Sequence, residues 1–98
     1  MKAELLFHEK RAVSGRSGKI GIVEIKVWKI PSDKYYPEGL KFSLFLVCDS
    51  EIVIGIDNHK PKGPHLHFEG GEFAYSFTGE KKLLQDFWSL VSKKGFSL

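Results

Sequence analysis

The spacing of apolar residues changes once along this chain, near Thr78. Before that point the apolar positions alternate with polar ones, as on strands buried on one face. After it Leu83, Leu84, Phe87, Trp88, Leu90 and Val91 recur with a period near 3.6, the stripe of a helix that packs on a core. A first strand is expected over 5–13. The turn Ser14-Gly15-Arg16-Ser17-Gly18-Lys19 follows, then a long second strand over 20–30 with Val23, Ile25 and Val27 on one face and Glu24, Lys26 and Trp28 on the other. Pro31 ends it, because proline cannot donate to a ladder. The run 41–47 is apolar on both faces and reads as a central strand. The run 51–57 reads as a fourth, with Ile52, Ile54 and Ile56 on one face. A further strand is expected over 72–77, with Phe73, Tyr75 and Phe77 on one side.

Thr78 suits the helix N-cap, Glu80 the first turn, Lys93 and Lys94 the last, and Gly95 the residue after it. Phe87 and Trp88 read as core. The architecture is therefore α+β: an antiparallel meander of five to six strands with one C-terminal helix on one face. Ninety-eight residues make a single domain, 1–98, with no repeat or linker to divide it. Its core is modest for its size, and 13% aromatic residues help to fill it.

The chemistry is concentrated in Asp57-Asn58-His59-Lys60-Pro61-Lys62-Gly63-Pro64-His65-Leu66-His67, which holds three of the four histidines. Alternate residues of a strand share a face about 6.5–7 Å apart, so His65 and His67 point one way and Leu66 and Phe68 the other, toward the core. Pro61 and Pro64 restrict the loop, and Gly63 permits close backbone approach. Three functions fit. In the first, the histidines divide acid and base work in metal-free phosphodiester cleavage, with Lys62 and Lys60 steadying the phosphate. In the second, His65 and His67 are joined by Asp57 or His59 around a metal. In the third, these are polar residues on an exposed strand face or docking patch. The two lysines favour an anionic substrate over a bare cation site.

One cysteine excludes an internal disulfide framework and four-cysteine zinc patterns; Cys48 reads as a small buried hydrophobe. No long apolar run follows the N-terminus, so neither a signal peptide nor a membrane span is expected, and residence is expected to be cytoplasmic. The net charge is +3, but between Lys10 and Lys29 six cations face Glu24 alone, a local +5. Lys10, Arg11, Arg16 and Lys19, with Lys60, are the candidate RNA contacts of a basic hairpin. The plainer account is a solvated surface. His8 reads as structural, and the loop tyrosines Tyr35 and Tyr36 as packing on the domain itself more readily than on a base.

Several segments together resemble the TumE-type toxins of prokaryotic toxin–antitoxin pairs. They are Val23-Glu24-Ile25-Lys26-Val27-Trp28, Lys41-Phe42-Ser43-Leu44, Gly55-Ile56-Asp57-Asn58, Lys62-Gly63-Pro64-His65-Leu66-His67 and Phe77-Thr78 before Leu83-Leu84-Gln85-Asp86-Phe87. The resemblance spans roughly residues 20–92. It departs at Leu66, where relatives often carry a basic residue. It implies a toxin neutralised by an antitoxin of helix-turn-helix type. Family context adds weight to a metal-independent endoribonuclease with His65, His67, His59, Lys62 and Asp57 as its site and no cofactor. A non-enzymatic binding module and a small metal-dependent hydrolase are the alternatives. An exposed strand edge would permit a homodimer.

Overall fold

The computed structural model describes residues 3–98. Six strands form one antiparallel sheet in sequential order, β1 (Glu4–Ser14), β2 (Ile20–Lys29), β3 (Leu40–Cys48), β4 (Glu51–Asp57), β5 (His65–Phe68) and β6 (Gly71–Ala74), followed by one helix, α1 (Glu80–Lys93). The expected α+β meander is what the chain forms.

One face of the sheet is covered. Val23, Ile25 and Val27 of β2, Phe42, Leu44 and Leu46 of β3, and Ile54 and Ile56 of β4 are buried there with Leu83, Phe87 and Val91 of α1. The helical trio recurs at i, i+4 and i+8, which places all three on the sheet. Trp88 packs at the margin of this core, its ring edge-on to Phe87 with centroids 5.6 Å apart. The alternation on β2 and β3 thus carries its buried half to one side and leaves the other half open. Cys48 is buried, in keeping with its apolar setting.

Three local expectations need correction. Ile52 is not on the face of Ile54 and Ile56. Leu46 pairs with Ile54 while Val47 pairs with Ile52, so a bulge at Val53 turns Ile52 to the open face, where it is 58% exposed. The strand expected over 72–77 stops at Ala74, and Phe73 is exposed; Tyr75 and Phe77 do pack against the core, beyond the strand's end. Gly79, not Thr78, stands at the helix N-cap, without a side-chain cap. A hydrogen bond from the Tyr75 hydroxyl to Asp86 Oδ2, 2.6 Å, fastens that post-strand segment to α1 instead. Burial, and then the hydrogen bond to Asp86 and its charge, push the Tyr75 hydroxyl far above its usual pKa, and Lys82 followed by Tyr75 lowers that of Asp86.

The open face is ordered in rows, because directly paired residues of a sheet project to the same side. One row runs His8, Lys26, Ser43, Asp57, His65. The next runs Lys10, Glu24, Phe45, Gly55, His67, Glu72. Arg11 lies in register with Val23 on the opposite side, where it pairs with Glu9 at 2.7 Å.

Candidate active site

The histidine segment begins where β4 ends. Asn58 is only 2% exposed; its Oδ1 accepts from the Phe42 N–H at 2.9 Å and its Nδ2 donates to the Leu40 carbonyl at 2.8 Å. The side chain thereby continues the ladder after the backbone has left it. The Lys60 N–H donates to the Tyr36 hydroxyl at 3.1 Å, and the Tyr75 N–H to the Pro64 carbonyl at 3.1 Å. Tyr36 is buried, so it packs as expected. Tyr35 is 38% exposed, with the ammonium groups of Lys34 and Lys60 at 5.1 and 5.7 Å from its ring centre. A loop of proline, glycine and lysine is thus held at three points from outside itself.

Leu66 and Phe68 pack against the core, and His65 and His67 project to the open face, as alternation requires. Asp57 pairs with His65 across β4 and β5, and His67 pairs with Glu72 across β5 and β6. His65 Nδ1 lies 2.9 Å from the Gly63 carbonyl. A carbonyl only accepts, which assigns the hydrogen to Nδ1. The other ring nitrogen, Nε2, faces Asp57 Oδ1 at 3.0 Å and Glu72 Oε2 at 3.3 Å. His67 Nε2 is 3.8 Å from the same Glu72 oxygen, and the two imidazoles meet edge to face with centroids 5.0 Å apart.

Lys62 Nζ donates to both Glu72 oxygens at 3.0 Å. That hydrogen bond, first, and then the charges of Lys62, His65 and His67 hold the Glu72 carboxyl below the usual carboxylate range. Together with His59, Lys60 and Pro61 these groups line a hollow of about 320 Å³. The His59 N–H approaches Asp57 Oδ1 at 3.4 Å. Gly55 leaves room for the neighbouring aromatic ring: a Cβ there would lie 2.5 Å from Phe45 and 3.3 Å from His67. Only glycine lets Phe45 lie beside the second histidine in this way.

The structure therefore brings Asp57, His59, Lys60, Lys62, His65 and His67 to one hollow. It does not bring the basic hairpin there. Arg16 and Lys19 line a different hollow with Cys48, Asp49 and Glu51, at the other end of β4, and Lys19 Nζ lies 3.5 Å from Asp49. Seven strand residues separate the two ends by about 20 Å. Lys10 is on the open face in the row of His67, and Arg11 is on the other face. Sequence reasoning missed Glu72. The signal was present in Glu69-Gly70, whose positive φ angles of 51° and 78° make a two-residue hairpin loop and so set His67 opposite Glu72.

Residues 3–94 match the family model described as Toxin TumE, and the chain belongs to that family. No curated protein and no solved structure matches the chain. Membership makes it a toxin of a toxin–antitoxin system, with an antitoxin as partner. No helix among the described residues is long and apolar enough to cross a membrane.

Proposed function

We propose that this toxin is a metal-independent endoribonuclease acting in the cytoplasm, with His65 and His67 as its acid–base pair. The observation that carries the reading is the pairing of two unlike imidazoles. His65 is nearly buried, tied through Nδ1 to Gly63 and backed by Asp57; His67 is more open, and among the described residues its Nε2 has no partner within hydrogen-bond distance, Glu72 Oε2 lying 3.8 Å away. Such a pair suits two opposite proton transfers near neutrality.

In the proposed reaction neutral His67 takes the proton of a ribose 2′-hydroxyl. The 2′-oxygen attacks phosphorus, and the bond from phosphorus to the 5′-oxygen breaks. Doubly protonated His65 gives its Nε2 proton to that leaving oxygen. The products are a 2′,3′-cyclic phosphate and a free 5′-hydroxyl. Asp57, 3.0 Å from Nε2, orients His65. Lys62 turns from Glu72 to the phosphate, and Lys60 adds charge at the rim. His59, held over Asp57 by its own N–H, is the alternative proton carrier. Lys10 continues the RNA path along the row of His67, whereas Arg16 and Lys19 would touch only a longer RNA and Arg11 only one that rounds the edge. The antitoxin is proposed to be a helix-turn-helix protein encoded beside the toxin. The long β1 edge offers a route to a homodimer.

The test is incubation of the purified protein with a defined RNA in EDTA. Fragments ending in cyclic phosphate are expected, at a rate lowered by at least about 10²-fold in a folded His67→Ala variant. Undiminished toxicity of that variant would overturn the proposal. If toxicity fell instead with Arg16→Glu and Lys19→Glu, a binding module would replace the enzyme.

A further inference from the structure

Acceptors stand beside the nitrogens of the two imidazoles, an unusual lining for a site meant only for phosphate. Asp57 and Glu72 both face His65 Nε2, and Glu72 Oε2 also lies 3.8 Å from His67 Nε2. One ligand atom from each of Asp57, His65 and His67 lies within 4.8 Å of the others. In a tetrahedral zinc site with bonds of about 2.0–2.1 Å the ligand atoms are about 3.3 Å apart, so a contraction of roughly 1.5 Å at most closes the triangle.

The parts that orient metal ligands are also in place. The Gly63 carbonyl holds His65 Nδ1–H and leaves Nε2 as the ligating nitrogen, the role a carbonyl plays behind metal-bound histidines. The His59 N–H steadies Asp57 Oδ1, and Glu72, anchored by Lys62, stands beside both rings. Asp57, His65 and His67 sit on paired strands and not on a loose loop. Two imidazoles and one carboxylate suit Zn²⁺ far better than Mg²⁺.

We propose that Asp57, His65 and His67 bind Zn²⁺ and that the zinc-bound toxin is switched off. The binding stands on the geometry alone; the switching rests on the acid–base function proposed above. A metal on both Nε2 atoms occupies the lone pair that His67 needs as base and displaces the proton that His65 needs as acid. Chelation restores both.

The experiment titrates the purified, metal-stripped protein with Zn²⁺ against a chromophoric chelator and follows RNA cleavage in parallel. One equivalent of Zn²⁺ is expected to bind, with no response to Mg²⁺. Asp57→Asn and His67→Ala should each weaken binding by at least roughly tenfold, while His8→Ala leaves it unchanged. Circular dichroism establishes that each variant is folded. Cleavage should fall as the equivalent binds and return with EDTA. Absence of stoichiometric binding, or binding indifferent to both substitutions, overturns the site. Cleavage stimulated by zinc overturns the switch. Zinc binding by a protein that never cleaves RNA would leave the site standing and remove the nuclease function.

Discussion

The open face carries two clusters built from the same parts. Near one edge His8 Nε2 lies 3.0 Å from Glu24 Oε2, with Lys26 Nζ at 3.9 Å from that oxygen. Near the other, His65 meets Asp57 and Glu72, with Lys62 on Glu72. His8 and His65 even share a row of the sheet, four strand spacings or about 19 Å apart. Their surroundings differ. The side chains of His8 and Glu24 are 42% and 37% exposed, whereas those of His65 and Asp57 are 11% and 17%. Among the described residues His8 has one hydrogen-bonded side-chain partner, Glu24, and solvent; His65 has a backbone carbonyl on its far nitrogen, a second imidazole at its edge and a loop fastened around it. Histidine, acid and lysine in proximity are common on a protein surface. What makes a candidate site is the removal of their freedom.

The largest expected contrast between the clusters is catalytic. His67→Ala should lower RNA cleavage by about 10²- to 10⁴-fold and release growth inhibition. His8→Ala should leave both unchanged, as read by gel assay and plating. A fall of similar size from His8→Ala would make the two clusters functionally equivalent.

The second contrast concerns the loop. Asn58→Ala removes both hydrogen bonds of a buried amide and strands the Phe42 N–H, at a cost of about 1–3 kcal/mol in a chemical melt. Cleavage should drop with it, since the loop positions Lys62 and Gly63. Tyr36→Phe deletes the acceptor for the Lys60 N–H and should cost less, about 1 kcal/mol.

The smallest effect belongs to the exposed pair. The His8 hydrogen bond, first, holds the Glu24 carboxyl below its usual 4.5, with Lys26 and Lys10 adding to it. A carboxyl that titrates lower when folded stabilises the fold above its unfolded pKa, and that contribution fades as pH falls through the folded value. Solvent screening keeps it small. NMR titration should show Glu24 below 4.5, returning upward in His8→Ala with little change in melting temperature.

The limits of β4 and the division of His65 and His67 from Leu66 and Phe68 were legible because alternation on a strand is a local rule. The adjacent residues Lys10 and Arg11 fall on opposite faces for the same reason. Ile52 misled, because a bulge costs one residue of register and leaves no mark in an apolar run. Thr78 misled as a cap because the chain turns at Gly79, whose φ of 131° a threonine would not readily adopt.

From its order of residues alone the chain is a β meander closed by one helix, with paired histidines on the open side of a strand. Periodicity and turn residues act over a few positions, so they can be read one segment at a time. The tertiary structure decided the company those histidines keep: Glu72 brought across a two-residue turn, Tyr36 reaching 24 positions ahead to hold Lys60, and the basic turn sent to the far end of the sheet. Those are consequences of register and strand order. They exist only when distant segments pair, and no single segment encodes them.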